Sequence, residues 1–419
     1  MTTRPGWGRR GAAGMASAVL LVAAACGGDE GDAATADTGE APAGSPLRIA
    51  AMVNETGPTS TGEASAPVVL EAWADAVNAD GGIAGHPVEV VVEDTQGDTP
   101  TATAFAERVA GDDSFVGVVL FDAGTEAAVA DVITDAGLPV IGGMGYAPTA
   151  WGELPNWLSV TTSFPSVITM AMVLGDDLGS ETTVFPVCAE NPSCAAAGPL
   201  AEGASEALGM DYAGTLTVSV AAPDYTAECL QIDDAGVDYV MLGLTTAASL
   251  RLVADCRTQG YEGTWGLFDG SVWPKVMVEN DPGVPVHLAL SAFPWYTDDA
   301  PVVAYRDAME GQDVPEDAWG SPHGTAAYAT MELFRTALEN ADTAGSLADA
   351  PTRADVVTAY GTIQEETLDG LLPQPLTFRP GEPQDLVRCY WFATFEDGEF
   401  SGGGLDDVTC DPPELQEEG

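Results

Sequence analysis

The cysteines are the residues of this chain whose type and spacing imply chemistry most directly. Cys26 stands alone near the N-terminus, directly after Ala-Ala-Ala. The others lie further along the chain: Cys188, Cys194, Cys229, Cys256, Cys389 and Cys410. They contain no C-x-x-C pair and no histidine is near them in the sequence, so disulfide bonds are favoured over a metal site. Such a set can pair in many ways, and the simplest prediction joins neighbours along the chain, 188–194, 229–256 and 389–410.

Other residue patterns that could support catalysis or metal binding are weak. Glu93, Asp94 and Asp98 are acidic neighbours, but their spacing is not that of an EF-hand loop, and a structural role is favoured for them. The histidines stand far apart, at His86, His287 and His323. The sequence contains no H-E-x-x-H, no G-x-S-x-G and no phosphate-binding Gly-Lys-Ser. We therefore expect no cofactor, no bound metal and no enzymatic activity.

The N-terminal residues carry the features of an export signal. Arginines precede an uncharged, mostly apolar run over 11–25, which is about 15 residues long, whereas a membrane-spanning helix needs about 20. The end of this run, Val22-Ala23-Ala24-Ala25-Cys26, resembles the lipobox of bacterial lipoproteins. The resemblance implies that residues 1–25 are a signal peptide and that lipid on Cys26 anchors the protein to the outer face of the cell membrane. The alternative is an ordinary signal peptide that contains a cysteine.

The composition beyond the signal sets further limits. Residues 26–46 are almost wholly small or polar, so we expect a flexible tether there. The whole chain has 13 basic and 65 acidic residues, a net charge of −52. Nucleic acid is excluded as a partner because phosphate binding needs basic patches. The acidic residues are dispersed along the chain, which indicates a solvated, self-repelling surface.

Between Leu47 and about Phe400, short apolar runs typical of strands alternate with segments whose apolar residues have helical spacing. These are the elements that must position the site. Apolar runs rich in β-branched residues predict strands at 47–53, 88–93, 115–121, 138–141, 183–187, 215–220 and 237–242. Helical spacing between them predicts helices at 68–78, 102–110, 126–135, 200–208 and 227–235. Strands that alternate with helices of this length form βαβ units with a parallel sheet. The predicted fold class is α/β, with two lobes.

Loops after the strands are the candidate binding elements, because ligands of open α/β sheets bind beyond the carboxyl ends of the strands. Four such loops stand out: 122–125, 142–146, 243–246 and 268–270. A helix begins directly after the first loop, so its free N–H groups would suit a carboxylate.

Several motifs carry a resemblance to a known family. The segment 78–90, Asn-Ala-Asp-Gly-Gly-Ile-Ala-Gly-His-Pro-Val-Glu-Val, followed by Glu-Asp-Thr-Gln-Gly-Asp at 93–98, resembles the type I periplasmic binding proteins of branched-chain amino-acid ABC transporters. The likeness runs from about Leu47 to Phe400. It implies two lobes, each a parallel sheet flanked by helices, joined by three crossing strands, with the ligand in the cleft between them. The predicted lobes are 47–162 with 290–368, and 163–289 with 369–419.

The resemblance also implies roles for residues of the four loops. Relatives that bind amino acids hold the ligand carboxylate through a Ser on the first loop and an Ala-Thr pair on the second, and an acidic residue holds the ammonium. Asp269 falls at the acidic position, but Ala123 and Gly145-Tyr146 replace the Ser and the Ala-Thr pair. These departures argue against a plain aliphatic amino acid. The predicted ligand-binding residues are Ala123, Gly124, Thr125, Gly145, Tyr146, Thr245, Thr246 and Asp269.

Structural roles remain open for some of these residues. Gly145 could serve only a tight turn, Thr125 could only cap a helix, and Asp269 could only cap a turn. The favoured function is a lipid-anchored solute-binding protein that captures a small molecule, an amino acid or a related amide or amine, and delivers it to the permease and ATPase subunits of an ABC transporter. The alternatives are a surface lipoprotein that feeds a signalling partner and an exported enzyme.

Overall fold

The computed structural model describes residues 42–416, except 58–59, 61, 148–149, 163 and 191. The strands are β1 (Leu47–Val53), β2 (Val88–Asp94), β3 (Phe115–Phe121), β4 (Val140–Gly143), β5 (Thr182–Cys188), β6 (Asp211–Val218), β7 (Tyr239–Leu242), β8 (Thr264–Phe268), β9 (Val286–Leu290), β10 (Cys389–Glu396), β11 (Glu399–Ser401) and β12 (Val408–Cys410). Short 3₁₀ turns lie at Gly62–Ser65, Asp269–Ser271 and Leu368–Gly370.

The α-helices connect these strands in the order that the sequence predicts. They are α1 (Ala66–Ala79), α2 (Thr99–Ala110), α3 (Glu126–Asp135), α4 (Phe164–Asp177), α5 (Pro192–Leu208), α6 (Thr226–Ala235), α7 (Thr246–Thr258), α8 (Pro274–Glu279), α9 (Ala300–Gly311), α10 (Glu316–Trp319), α11 (Pro322–Thr343), α12 (Arg353–Tyr360) and α13 (Pro413–Gln416).

Two sheets organise the chain. The first is parallel, with strand order β2-β1-β3-β4. The second has the order β11-β10-β9-β8-β7-β5-β6, with β12 also paired to β10. Its strands β5 to β9 are parallel, and β10 joins β9 antiparallel. The predicted α/β class with parallel sheets flanked by helices is confirmed.

The helices divide into two lobes according to the sheet that they cover. In the first lobe, α1 packs on α11, α2 on α3, and α12 on β3. In the second lobe, α4 packs on β7, β8 and β9, α5 on β5 and β6, and α6 on α7. All seven residues of the central strand β3 are buried, because helices lie on both of its faces. Both lobes belong to one compact unit of the chain.

The chain passes between the lobes three times: between β4 and α4, between β9 and α9, and between α12 and β10. The first and third passages are joined by Gln384, whose side chain accepts a hydrogen bond from the Ser159 N–H and donates one to the Ser159 carbonyl, at 2.6 and 2.9 Å. Phe378 packs edge-on against Tyr360 of α12, so the third passage comes after residue 378. The boundaries of the predicted lobes stay a prediction.

Disulfide bonds join Cys188 to Cys194, Cys229 to Cys256 and Cys389 to Cys410. These are the pairs predicted from the sequence. The acidic neighbours of the first lobe have the structural roles that were favoured. The carboxylate of Glu93 pairs with Arg108 at 2.8 Å, Asp94 accepts the N–H groups of Glu55 and Gln96 at 3.0 Å, and Asp98 caps α2 by accepting the Thr101 N–H.

Candidate functional site

A cavity of about 160 Å³ lies between the two lobes, at the carboxyl ends of their strands. The first lobe contributes Glu63, Ala123, Tyr146 and His323 to its lining. The second lobe contributes an apolar wall made of Ile168, Phe185, Val187, Leu244 and Phe268. Engineered apolar cavities of about 150 Å³ accommodate benzene, so this volume suits a small molecule.

Two polar residues and a disulfide complete the second-lobe side. Thr245 and Ser271 line the cavity after β7 and β8, and Cys188 and Cys194 line it beside α5. The Ser271 hydroxyl donates a hydrogen bond to the Leu244 carbonyl at 2.7 Å. A mostly apolar lining with a few placed polar groups is typical of small-molecule sites.

The first loop, after β3, uses its own hydrogen-bonding groups internally. The carboxylate of Asp122 accepts the Gly124 N–H at 3.1 Å and the hydroxyl groups of Thr125 and Thr95. Ala123 lines the cavity, whereas Thr125 is buried beneath it and Gly124 is not part of the lining. Asp122 therefore fixes the shape of the loop that the sequence predicts as a binding element.

Glu63, on the 3₁₀ turn before α1, occupies the position facing this loop. Its Oε1 accepts the Ala123 N–H at 3.1 Å. Burial raises the pKa of Glu63 to about 8, and the nearby carboxyl groups of Asp122 and Glu126 add to the shift, while hydrogen bonds from the Ala123 N–H and the Asn54 side chain oppose it. Glu63 is therefore protonated at neutral pH when the cavity is empty. Sequence analysis missed this residue because nothing around it marks a binding loop.

The second loop places Tyr146 in the cavity wall. Its phenol lies beside the carboxyl group of Asp269, but its hydroxyl forms no well-aligned hydrogen bond within the described residues. Gly270 permits this approach, because a Cβ there would lie 2.8 Å from the Tyr146 hydroxyl. Gly145 has φ of 73°, a left-handed conformation that favours glycine, and is not part of the lining.

Glu126, at the start of α3, holds the second loop from behind. Its Oε2 accepts hydrogen bonds from the Ala147 N–H and from the indole of Trp151, both at 2.8 Å. Burial raises the pKa of Glu126 to about 8 against these hydrogen bonds.

The third and fourth loops contribute less than the sequence predicts. Thr245 reaches the cavity, but Thr246 is buried and its hydroxyl donates to the Ser271 carbonyl at 2.8 Å. Asp269 is fully buried and is not part of the lining. Its carboxyl oxygens accept the Gly270 N–H at 2.8 Å and both the N–H and the hydroxyl of Ser291. Burial raises the pKa of Asp269, and these hydrogen bonds oppose the shift. A ligand contact by Asp269 stays a prediction.

His323, in the first turn of α11, is another lining residue that sequence analysis missed. It is 1% exposed, and its Nδ1 has no hydrogen-bond partner among the described residues. Burial lowers the pKa of His323 to about 3, so the ring is neutral. A Cβ on Gly62 would lie 2.4 Å from Nδ1, which shows how closely the turn carrying Glu63 approaches the ring.

The two lobes also meet beside this cavity. Lys275 Nζ of α8 lies 2.5 Å from Asp317 Oδ2 of α10, and both side chains are partly exposed. An open groove of about 940 Å³ follows on the outer side of this ion pair, along the rings of Trp295, Tyr296 and Phe400. It contains none of the predicted ligand-binding residues, so we take the smaller interlobe cavity as the candidate site.

A family model described as "Periplasmic binding protein" matches residues 46–399. The chain therefore belongs to the type I periplasmic binding protein family, and the predicted two-lobed fold is confirmed. Comparison with curated protein sequences gives no significant match.

Solved structures at low sequence identity share this fold. A fatty acid ABC transporter substrate-binding protein from Thermomonospora curvata superposes with a TM-score of 0.71 and 16% identity, over 91% of this chain and 96% of that chain. The branched-chain amino acid transporter substrate binding protein LivJ from Streptococcus pneumoniae, in complex with isoleucine, gives 0.70 and 15%, over 87% and 100%. A Rhodopseudomonas palustris HaA2 solute binding protein in complex with p-hydroxybenzoic acid gives 0.71 and 15%, over 89% and 99%.

The predicted signal peptide, tether and lipidation site at Cys26 lie outside the described residues, apart from the last five positions of the tether. Among the helices that the structure describes, none combines the length and the apolar character needed to cross a membrane.

Proposed function

We propose that this protein is an extracytoplasmic solute-binding protein that captures a small molecule between its lobes and delivers it to the permease of an ABC transporter. The observation that carries the proposal is the interlobe cavity, to which Tyr146 of the first lobe and Phe268 of the second both contribute. A ligand that contacts both lobes stabilises their closed arrangement, and a permease can bind selectively to that arrangement. The proposed ligand class is an amino acid or a related amide or amine.

The proposal includes anchorage through lipid on Cys26, with residues 26–46 as the tether. It predicts that Cys26→Ala moves the exported protein from the membrane fraction to the wash, because no other anchor is proposed. Retention of the variant after salt and carbonate washing would contradict this part of the proposal.

Ligand capture is tested by a thermal-shift screen of the mature protein against amino acids, amides, amines and small acids. A ligand at 100 times its Kd should stabilise the protein by roughly 2.7 kcal/mol. In Thr245→Trp the indole fills the cavity, so the shift should disappear. Thr258→Trp, an exposed threonine near the end of the same helix, is the matched control and should keep the shift. The proposal would be contradicted if no compound in the screen shifts the melting temperature of Thr258→Trp without shifting that of Thr245→Trp.

A further inference from the structure

The sequence predicts free N–H groups at the first loop and the helix after it, and such groups would suit a ligand carboxylate. In the structure, the N–H groups of residues 123–125 already donate hydrogen bonds within the protein. The Ala123 N–H donates to Glu63 Oε1, the Gly124 N–H to Asp122 Oδ1, and the Thr125 N–H to the Asp122 carbonyl, each at 3.1 Å. The carboxyl group of Glu63 therefore occupies the N–H group of the loop just before α3, close to where a ligand carboxylate would be held. A ligand carboxylate would have to displace a buried side chain of the protein.

The charge around this end of the cavity also opposes an anion. Glu63 from the turn before α1, Asp122 from the first loop and Glu126 from the start of α3 are all buried. The described lining residues include no lysine and no arginine. Glu63 and Glu126 are protonated in the empty cavity, so they bring no positive charge either, and a buried ligand carboxylate would lack the counter-charge that it needs.

The polar groups that remain suit a hydrogen-bond donor. Glu63 lines the cavity, and its two carboxyl oxygens have more acceptor positions than the two used by the Ala123 N–H and the Asn54 side chain. The unpartnered Nδ1 of the neutral His323 ring lies against the turn that carries Glu63. The described residues include no group of three metal-ligand side chains that could hold a cation instead. The opposite wall is apolar, with Phe185 and Phe268.

We propose that the ligand carries no carboxylate and that its polar end is an N–H donor, an amine or an amide, received by the carboxyl group of Glu63. This inference rests on the proposed function and narrows its ligand class. The hydrocarbon part of the ligand lies against the apolar wall of the second lobe. An amine enters as an ammonium ion and forms an ion pair with ionised Glu63, whereas an amide donates to Glu63 without a change of charge.

Binding of an amine has a proton balance that can be measured. The titratable groups facing Glu63 are Asp122 and Glu126 from the first loop and α3, Tyr146 from the second loop, and His323 from α11. Glu63 is protonated in the empty cavity, because its pKa is about 8. Pairing with an ammonium ion ionises Glu63, and its proton passes to the buffer. Calorimetry near pH 7 in two buffers of different ionisation enthalpy should therefore show about one proton released per amine and none per amide.

The probes are two series matched in shape: benzylamine, benzamide and benzoate, and isopentylamine, 4-methylpentanamide and 4-methylpentanoate. We expect the amine or the amide of a series to bind the wild-type mature protein and its carboxylate member to bind at least about 100-fold more weakly. Glu63→Gln should weaken amine binding by about 100-fold, because it removes the charge from a buried ion pair. Glu279→Gln, an exposed acid of α8, is the control and should change Kd less than about 2-fold.

The outcomes separate this inference from the proposed function. Benzoate or 4-methylpentanoate binding as tightly as the matched amine, with Glu63→Gln unchanged, would overturn the inference and leave the solute-binding function standing. Failure of all six probes, while another compound of the screen still separates Thr245→Trp from Thr258→Trp, would overturn it equally. The proton count is measured on the wild-type protein and needs no variant. If Glu63→Gln folds poorly, Glu63→Asp is the second variant: it keeps a carboxyl group and should still release a proton when an amine binds.

Discussion

The first lobe buries three carboxyl groups that interact with one another, those of Glu63, Asp122 and Glu126. An isolated ionised carboxylate in such a place costs several kcal/mol unless it is paired. The fold meets this cost differently for each group. Asp122 accepts hydrogen bonds from its own loop, whereas Glu63 and Glu126 have a pKa of about 8 and keep a proton.

The protonated state of Glu126 makes stability fall as the pH rises. Its pKa in the folded protein, about 8, lies above the ordinary value of 4.5, so its stabilising effect is complete below about 4.5 and is lost as the pH approaches 8. Glu126→Gln removes this dependence. The free energy of unfolding is measured by urea titration for both proteins. The value for the variant minus the value for the wild type should rise by roughly 1 kcal/mol per pH unit between those pH values. Parallel curves for the two proteins would contradict the raised pKa.

The same residues show what the sequence could reveal about the site. Ala123, Tyr146 and Thr245 were predicted because they follow strands, and the carboxyl ends of parallel strands meet at one edge of each sheet. Glu63 and His323 follow no strand. Helix packing in the first lobe brings the turn before α1 and the start of α11 together, and no local pattern in the sequence records that contact. Residue spacing could therefore not predict that Glu63 and His323 form the polar end of the cavity.

At the scale of elements, each strand and helix predicted above has a counterpart in the structure, and the differences lie at their ends. The strand predicted at 138–141 begins at Val140, because Pro139 has no N–H to donate to a sheet. The strand predicted at 215–220 begins earlier, at Asp211. It lies at the edge of the second sheet, where most residues stay partly exposed, so its first half has no apolar run.

The Cys188–Cys194 disulfide ties the end of β5 to the start of α5 and forms part of the cavity wall. Replacing both residues by alanine should weaken ligand binding by about 5- to 10-fold, because the freed segment must be ordered again when the cavity closes. The measurement is Kd by calorimetry with the best compound of the screen.

The matched control is the Cys389–Cys410 bond, which joins β10 to β12 and does not line the cavity. Its double alanine variant should lose about 2–4 kcal/mol of stability without a change in Kd. Equal affinities for both double variants would show that the first bond does not shape the site.

At the scale of the whole molecule, net charge dominates. A chain of 419 residues with a net charge of −52 repels itself in the folded state. The described ion pairs involve few of the 65 acidic residues, and most of these pairs are partly exposed, so each contributes little. Composition predicted this surface directly, since dispersed acids must lie outside the core unless they are protonated or hydrogen-bonded.

Salt should therefore stabilise the protein. Raising NaCl from about 0.1 to 1 M shortens the Debye length from about 10 to 3 Å and screens repulsion between exposed acids. We expect the midpoint of urea unfolding to rise across this range, whereas an equal osmolality of sucrose, the uncharged control, should shift it less. Urea is the suitable denaturant because guanidinium chloride is itself a salt. An unchanged or lower midpoint in NaCl would show that self-repulsion does not limit stability.

Lys275 is the only lysine in the sequence, and it lies where the second lobe meets Asp317 of the first. Amine-selective labelling chemistry therefore finds a single side chain in this protein, without any engineered residue. A small fluorophore on that amine would exchange the ion pair for a dye at the junction of the lobes. Its emission would then respond to any change in the separation of the lobes, so the native sequence provides a single side-chain site for an optical test of the proposed capture.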